Sequence, residues 1–217
     1  MMPNWTDVTL ECEGLSDLPI FTEYEPGKPE FDYNKVTPMP DYVRDTISPV
    51  QANSVVCYLF QEFSEDEAKD MLAQSGLRFN PDYLNMAVED VIAATDKPET
   101  LGFGEGATEI SAYDLGKNYY TSFTKEGVWD WYEWSYKNWG VKWNACDSNL
   151  VGDTLYFMAP WGYPDKVFEK LADMFPKKEF HSEIIYEDDY ENIHTIDFSA
   201  DYWTEELYNE EENNNDI

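Results

Sequence analysis

The first segment of the chain, residues 1–13, alternates between apolar and polar side chains. Val8, Leu10 and Cys12 fall on one side of an extended chain. The positions beside them are polar, namely Asp7, Thr9, Glu11 and Glu13. Because successive side chains of a β-strand point to opposite faces, this pattern predicts a half-buried strand at the start of the chain.

Residues 49–95 have a helical pattern instead. An apolar stretch, SVVCYLF, fits one face of a helix, although the same letters are compatible with a strand. Ser64 and Glu67 have the spacing of a capping box, which predicts that a helix begins there. Asn80-Pro81 is a second start signal, with asparagine at the cap and proline at the first helical position.

Five of the eight tryptophans lie in one stretch, residues 127–144. Within this stretch, side chains recur at helical spacing on Val128, Trp131, Tyr132, Ser135 and Trp139. Gly140 follows the last of them, where a left-handed residue commonly ends a helix. The stretch therefore predicts a helix with one packed face, followed by a turn into a strand.

The tryptophans of this region divide into two predicted groups. We expect an aromatic core that contains Trp131, Trp139, Trp143 and Trp161. Trp129 and Trp134 lie off the predicted helix face, and they are therefore candidates for exposed contacts with a partner.

The pattern after residue 142 predicts strands around one more helix. The predicted elements are strands at 143–146 and 154–160, a helix from Pro164 to Phe175, and strands at 180–186 and 193–198. With the first strand and the helices of the middle region, the order is typical of an α+β fold. We expect a core formed by 1–48 and 107–200, a helical insertion at 49–106, and an acidic tail at 201–217.

The net charge restricts the possible partners. The chain has 45 acidic and 14 basic residues, a formal net charge of −31. Such a charge repels nucleic acid and anionic membranes. No apolar run reaches the length of a membrane helix, and the N-terminus has no secretory signal pattern, so we expect a cytoplasmic protein.

Catalytic and metal-binding motifs are absent from the sequence. Cys12, Cys57 and Cys146 are scattered, and neither His181 nor His194 has another histidine or a cysteine close to it. These spacings do not fit a zinc site or a disulfide framework. We therefore expect no enzyme activity, no metal and no cofactor.

Segment 183–206 has nine acidic residues and no lysine or arginine. The acids that we select there as candidate partner-binding residues are Glu183, Glu187, Asp188, Asp189, Glu191, Asp201, Glu205 and Glu206. Two interpretations stay open. The acids form either a solvated face that maintains solubility or a surface that binds a basic site.

Several short motifs resemble one family when they are taken in order. They are Met2-Pro3-Asn4-Trp5, Phe31-Asp32-Tyr33-Asn34-Lys35, Pro38-Met39-Pro40, Trp131-Tyr132-Glu133-Trp134, Asn138-Trp139-Gly140, Lys142-Trp143-Asn144 and Trp161-Gly162-Tyr163-Pro164. This set resembles the YubB-type ferredoxin-like proteins encoded by bacteriophages and plasmids. The chain departs from that pattern at Val141, where members usually have threonine, and in its acidic tail.

The resemblance implies a ferredoxin-like antiparallel sheet with helices on one face and a helical insertion. It implies no catalytic residues. A mobile-element protein with this charge fits a nucleic-acid mimic that inhibits a host defence system, either anti-CRISPR or anti-restriction. Duplex DNA has one charge per about 1.7 Å, so 31 charges correspond to roughly 50 Å of duplex. The alternative function is a non-enzymatic interaction module that uses its aromatic surface or a sheet edge.

Overall fold

The computed structural model describes residues 4–102 and 104–209. Its strands are β1 (Trp5–Glu11), β2 (Phe21–Glu25), β3 (Lys28–Phe31), β4 (Glu99–Leu101), β5 (Thr108–Ile110), β6 (Cys146–Val151), β7 (Thr154–Pro160), β8 (Phe180–Tyr186), β9 (Asn192–Phe198) and β10 (Trp203–Asn209). Its helices are α1 (Tyr33–Val36), α2 (Asp41–Arg44), α3 (Ala52–Glu62), α4 (Glu65–Gln74), α5 (Val88–Thr95), α6 (Ala112–Glu126), α7 (Trp131–Trp139) and α8 (Asp165–Met174). The protein therefore belongs to the α+β class.

The chain folds into two compact units. The first comprises Met1–Pro38 and Ser135–Ile217, and the second comprises Met39–Trp134. The insertion expected at 49–106 lies within the second unit. The division between the units falls inside α7.

A six-stranded sheet in the order β10-β9-β8-β1-β7-β6 forms the centre of the first unit, and every neighbouring pair is antiparallel. One side of this sheet is apolar and buried, because Val8, Leu10, Phe157 and Ile184 point to it. Helix α8 covers that side, where the ring of Phe168 stacks on Phe198 with centroids 4.9 Å apart.

Two strands differ from the sequence expectation. Residues 203–209, expected as part of an acidic tail, pair with β9 as the edge strand β10. Residues 210–217 lie outside the described part. The first strand of the hairpin, expected at 143–146, instead spans Cys146–Val151. Its pairing is irregular between Cys146 and Asn149, and Asp147 there has a positive φ of 49°. Only Gly152-Asp153 is left to make the turn.

The tryptophans pack differently from the expectation. Trp139 is 4% exposed and Trp134 only 2%, so Trp134 is a core residue and is excluded as a candidate for an exposed contact. Trp161 was expected in the core, yet it is 46% exposed, because it follows β7 with a left-handed φ of 67°. Trp131 and Trp143 are half-buried.

The start of α7 explains the shift of its packed face. The buried side chain of Asp130 accepts hydrogen bonds from the backbone N–H groups of Tyr132 and Glu133, both at 3.0 Å, and so caps the helix. Residues 127–130 therefore precede the helix. The helix face that the sequence predicts by counting from Val128 is therefore displaced from the face that packs in the core.

The motifs around Asp32 and Asn144 meet in the first unit. The Asp32 carboxylate accepts a hydrogen bond from Asn144 Nδ2 at 2.9 Å, and the Tyr33 N–H donates to Asn144 Oδ1 at 2.8 Å. Asp32 also caps the short helix α1 through the Asn34 N–H. Trp139 Nε1 donates to the Thr37 carbonyl at 2.9 Å just after α1.

The second unit is helical, with a core between α3 and α6. Ser64 and Glu67 form the predicted capping box at the start of α4. The helix expected after Asn80 is divided into a 3₁₀ turn, Pro81–Asn85, and α5. Gly116 lies where α6 meets α3, and a Cβ there would be 2.0 Å from the Ser54 carbonyl oxygen.

Candidate interface on the open side of the sheet

The side of the six-stranded sheet opposite α8 has an acidic surface, which we call the acidic sheet face. Its carboxylates are Asp7, Glu11, Glu183, Asp197 and Glu206. On β1, β8 and β9 they alternate with buried residues, and on β10 the register places Glu206 opposite Thr195, so all five share the opposite face of the sheet. All five are exposed.

The register places these acids on a regular grid. Glu183 is opposite Thr9 on β1 and opposite Thr195 on β9, and Glu206 is opposite Thr195 from the other side. With strands about 4.8 Å apart and a rise of about 3.3 Å per residue, Glu183 and Glu206 are separated by about 10 Å, and Asp7 and Glu11 by about 13 Å. No lysine or arginine occupies an outward strand position of this sheet within the described residues.

The carboxylates of Glu11 and Asp197 have partners on the same face. Glu11 Oε1 accepts a hydrogen bond from Thr154 Oγ1 at 3.0 Å. His181 Nδ1 lies 2.7 Å from Asp197 Oδ1. Among the described side chains, none donates a hydrogen bond to Asp7 or Glu183. Neither carboxylate therefore has to give up a side-chain hydrogen bond to bind a basic partner.

A shallow depression lies beside Asp7. Its volume is about 200 Å³, and Asp7, Asp147, Tyr156 and Met158 are among its lining residues. Tyr156 is 47% exposed. An exposed aromatic ring with carboxylates nearby suits the side chain of arginine or lysine, because the cation contacts both the ring face and the acids.

The structure does not bring the eight candidate acids together on one surface. Glu183 and Glu206 lie on the acidic sheet face. The acids in the turn between β8 and β9 are Glu187, Asp188, Asp189 and Glu191. Asp201 lies in the turn between β9 and β10, at the other end of β9. Glu205 is opposite the buried Ile196, so it points to the α8 side.

Two of the turn acids stabilise the fold. Glu187 Oε2 accepts a hydrogen bond from the Trp5 N–H at 2.7 Å. Asp189 Oδ1 accepts from Asn192 Nδ2 at 2.6 Å, which ties the turn to the start of β9. Glu187 and Asp189 are therefore poor positions for a test of binding, because their replacement changes the structure as well as the charge.

Asp7, Glu11 and Asp197 belong to this surface but were not among the candidate residues predicted from the sequence. The alternation in residues 1–13 already placed Asp7 and Glu11 opposite the apolar residues of β1. The missing information was which strands flank β1, because the pairing with β8 joins positions about 175 residues apart in the chain. A search for acids within one segment finds runs along the chain and misses groups formed across strands.

Other chemical groups of the protein do not indicate a reactive site. Within the described residues, no group of three or more His, Cys, Asp or Glu side chains is arranged to hold a metal ion. Burial raises the pKa of the thiols of Cys12, Cys57 and Cys146, which disfavours the nucleophilic thiolate. None of the helices in the described ranges is both long and apolar enough to cross a bilayer.

Comparison with known proteins gives little further information. No protein-family model matches the chain, and no curated protein matches its sequence. Among solved structures, the chain is similar to the crystal structure of protein Api92 from Yersinia pseudotuberculosis, assigned to the family model DUF1281. The alignment covers 95% of this chain and 98% of that chain, with 10% sequence identity and a TM-score of 0.44. A TM-score of this size does not establish a common fold.

Proposed function

We propose that this protein is a non-enzymatic inhibitor that binds a basic nucleic-acid site of another protein through its acidic sheet face. The observation that carries the proposal is the set of five exposed carboxylates on one face, with no lysine or arginine among the outward strand positions described. A surface of one sign attracts a site built for phosphates and repels nucleic acid itself.

The density of charge favours mimicry of one strand of nucleic acid. The five acids lie on β1, β8, β9 and β10, and four adjacent strands at about 4.8 Å spacing span roughly 14 Å. Over that length duplex DNA has roughly 8 phosphates, and one strand has roughly 4. Five carboxylates are closer to the single-strand value. The proposed target is therefore a basic channel that follows one backbone, such as a guide or single-strand channel.

We also propose that the first unit has the ferredoxin-like topology that the resemblance to YubB-type proteins implies. The order β8-β1-β7-β6 supports this proposal, because a ferredoxin-like sheet places its fourth, first, third and second strands side by side. Helix α8 connects β7 to β8 on the apolar side, as that topology requires. The extra strands β9 and β10 extend the sheet beyond the fourth strand.

The same resemblance supplies the proposed setting. The protein acts in the cytoplasm of a host cell, as a phage- or plasmid-encoded inhibitor of a defence system, anti-CRISPR or anti-restriction, that handles nucleic acid. Its partner is the defence protein or nucleoprotein complex, and it makes no direct contact with nucleic acid.

The alternative function is a protein-interaction module that uses aromatic residues. One observation favours it, since the ring of Trp129 stacks on Phe123 at 4.2 Å and 9°, and Phe123 is 37% exposed. These residues lie in the second unit. Replacement of Trp129 would weaken binding under this alternative, whereas it would leave binding through the acidic sheet face unchanged.

The proposal is tested by competition. Partner protein is captured from nuclease-treated host lysate on the immobilised protein and then purified. Labelled single-stranded nucleic acid is bound to that partner, and this protein is added. We expect displacement of the nucleic acid and no binding of the nucleic acid by this protein alone. Undisturbed nucleic-acid binding in the presence of saturating protein would overturn the mimicry.

A further inference from the structure

A small pocket lies at the edge of the sheet, between Tyr163, the end of β8 and the strands β9 and β10. We call it the edge pocket. Its volume is about 230 Å³. Its lining residues include Tyr163, Tyr186, His194, Glu205 and Leu207. Drug-sized ligands occupy pockets of about 300–1,000 Å³, so this one fits a single side-chain head group.

The carboxylate of Glu205 is fixed at this pocket by two hydrogen bonds. Tyr163 Oη donates to Glu205 Oε1 at 3.0 Å, and Trp203 Nε1 donates to the same oxygen at 2.8 Å. Both bonds end on Oε1, which leaves Oε2 as an acceptor for a ligand. A carboxylate held in this way is oriented before a ligand arrives, so less entropy is lost on binding.

Aromatic rings form other walls of the edge pocket. The rings of Tyr186 and His194 meet edge to face, with centroids 5.0 Å apart at 86°. Burial, and then the negative charge of Glu205, raise the pKa of Tyr186. Burial and the hydrogen bond to Glu205 also raise the pKa of Tyr163. Both phenols therefore stay neutral and experience the negative potential of this carboxylate.

We propose that the edge pocket binds the guanidinium group of an arginine side chain presented by another protein. A guanidinium stacks flat on a tyrosine ring and donates in its plane to a carboxylate, which is what Tyr186 and Glu205 offer together. A lysine ammonium lacks the planar fork and gains less from the ring. The side chain of Glu205 points to the opposite side of the sheet from the acidic sheet face, and Glu206 is the one member of that face that also lines the pocket.

The test uses N-acetyl-arginine amide as the probe. Binding is followed by NMR through the Trp203 indole N–H and the tyrosine rings, at probe concentrations up to the millimolar range expected for a single group. The neutral analogue N-acetyl-citrulline amide has nearly the same shape without the charge. We expect binding of the arginine probe to be at least tenfold tighter than that of citrulline, and several-fold tighter than that of N-acetyl-lysine amide.

Matched variants locate the binding. Glu205→Gln keeps an oxygen for the bonds from Tyr163 and Trp203, so the pocket stays folded while its charge is removed. We expect the affinity of this variant for the arginine probe to be about tenfold weaker. Glu183→Gln removes the same charge from the opposite side of the sheet, and we expect no change. Tyr186→Leu removes the stacking surface and should weaken binding, whereas Tyr186→Phe should not.

Several outcomes would overturn this inference. They are equal binding of arginine and citrulline probes, equal or tighter binding of the lysine probe, and equal losses for the Glu205 and Glu183 variants. An absence of shifts at the Trp203 indole in the wild-type protein would also overturn it. None of these outcomes depends on whether the acidic sheet face inhibits a nucleic-acid-binding protein.

Discussion

Asp32 joins three segments of the first unit through one carboxylate. Its Oδ2 accepts a hydrogen bond from Thr22 Oγ1 at 2.7 Å, and its Oδ1 accepts from Asn34 and from Asn144. The residue is only 6% exposed. Burial alone would raise the pKa of this carboxyl, but the hydrogen bonds from Thr22, Asn144 and Asn34 outweigh burial and lower the pKa.

Asp32→Asn should destabilise the protein in a pH-dependent way. An asparagine amide has only one acceptor oxygen, so we expect the free energy of unfolding to fall by about 2–4 kcal/mol at neutral pH. A lowered folded-state pKa gives stability that is present above the unfolded value, about 3.9, and is lost as pH falls through the folded value. The difference in unfolding free energy between wild type and variant should therefore shrink at acidic pH.

Denaturant unfolding at neutral pH and near the folded-state pKa checks this prediction. The control is Asp17→Asn, which changes an exposed carboxylate. A constant difference between wild type and Asp32→Asn at both pH values would show that the ionised carboxylate contributes nothing beyond its shape.

The tryptophans give a second residue-scale prediction. Trp139→Ala removes a side chain that is 4% exposed and leaves the Thr37 carbonyl without its indole donor, so we expect a loss of about 3–5 kcal/mol. Trp161→Ala changes a ring that is 46% exposed, and we expect a change within about 0.5 kcal/mol. Similar losses for both variants, measured by chemical denaturation, would contradict the assignment of core and surface.

At the scale of elements, Gly116 sets how closely α3 and α6 approach. Alanine normally favours a helix over glycine by about 1 kcal/mol. Here the added Cβ would be 2.0 Å from the Ser54 carbonyl oxygen and 2.7 Å from the Tyr58 Cβ. Gly116→Ala should therefore destabilise the second unit by about 1–3 kcal/mol, because the helices must separate.

Thermal unfolding checks that sign. The control is Lys117→Ala, an exposed neighbour on the same helix, which should change stability by less than about 0.5 kcal/mol. A more stable Gly116→Ala protein would show that helix propensity outweighs the close contact, and that α3 and α6 can adjust at little cost.

Helices and strands with a local signal could be predicted from the sequence, and those without one could not. Alternation identified β1, and capping signals identified α4, because both are local. Helix α6 was missed, although Ser111 caps it through the Asp114 N–H and Gly127 ends it with a φ of 72°. Its tyrosines and threonines made the face less distinct than an aliphatic one. Strand β10 was missed because its acidic residues are typical of a solvent-exposed tail. Its pairing with β9, which the sequence does not show, makes it a strand.

At the scale of the whole molecule, the net charge of −31 acts on folding and on binding with opposite signs. Self-repulsion among like charges destabilises the compact state, and salt screens it over about 10 Å at 0.1 M. We therefore expect the melting temperature to rise between about 0.05 and 0.5 M salt, whereas affinity for a basic partner falls. A melting temperature that falls over this range would mean that attractive pairs dominate the charge interactions.

The proposed binding surface could be anticipated only in part from the sequence. The sign and size of the charge follow from composition, and Glu183 and Glu206 were selected from the sequence. The assembly of Asp7 and Glu183 on neighbouring strands follows from the order β8-β1-β7, which no local pattern gives. The exposure of Trp161 and the burial of Trp134 also depend on backbone geometry, at the end of β7 and at the start of α7. The helical spacing of side chains in the sequence does not reveal that geometry.

The most direct test of the central claim compares two variants with equal loss of charge. Asp7→Asn with Glu183→Gln changes the acidic sheet face, and Asp70→Asn with Asp90→Asn changes exposed acids of the second unit. Displacement of labelled nucleic acid from the purified partner is measured for wild type and both variants at two salt concentrations. The account predicts at least a tenfold weaker displacement for the first variant, near wild-type behaviour for the second, and weaker displacement at higher salt for all three proteins. Equal losses in both variants would show that only net charge matters, and undiminished displacement by the first variant would show that the contact lies elsewhere.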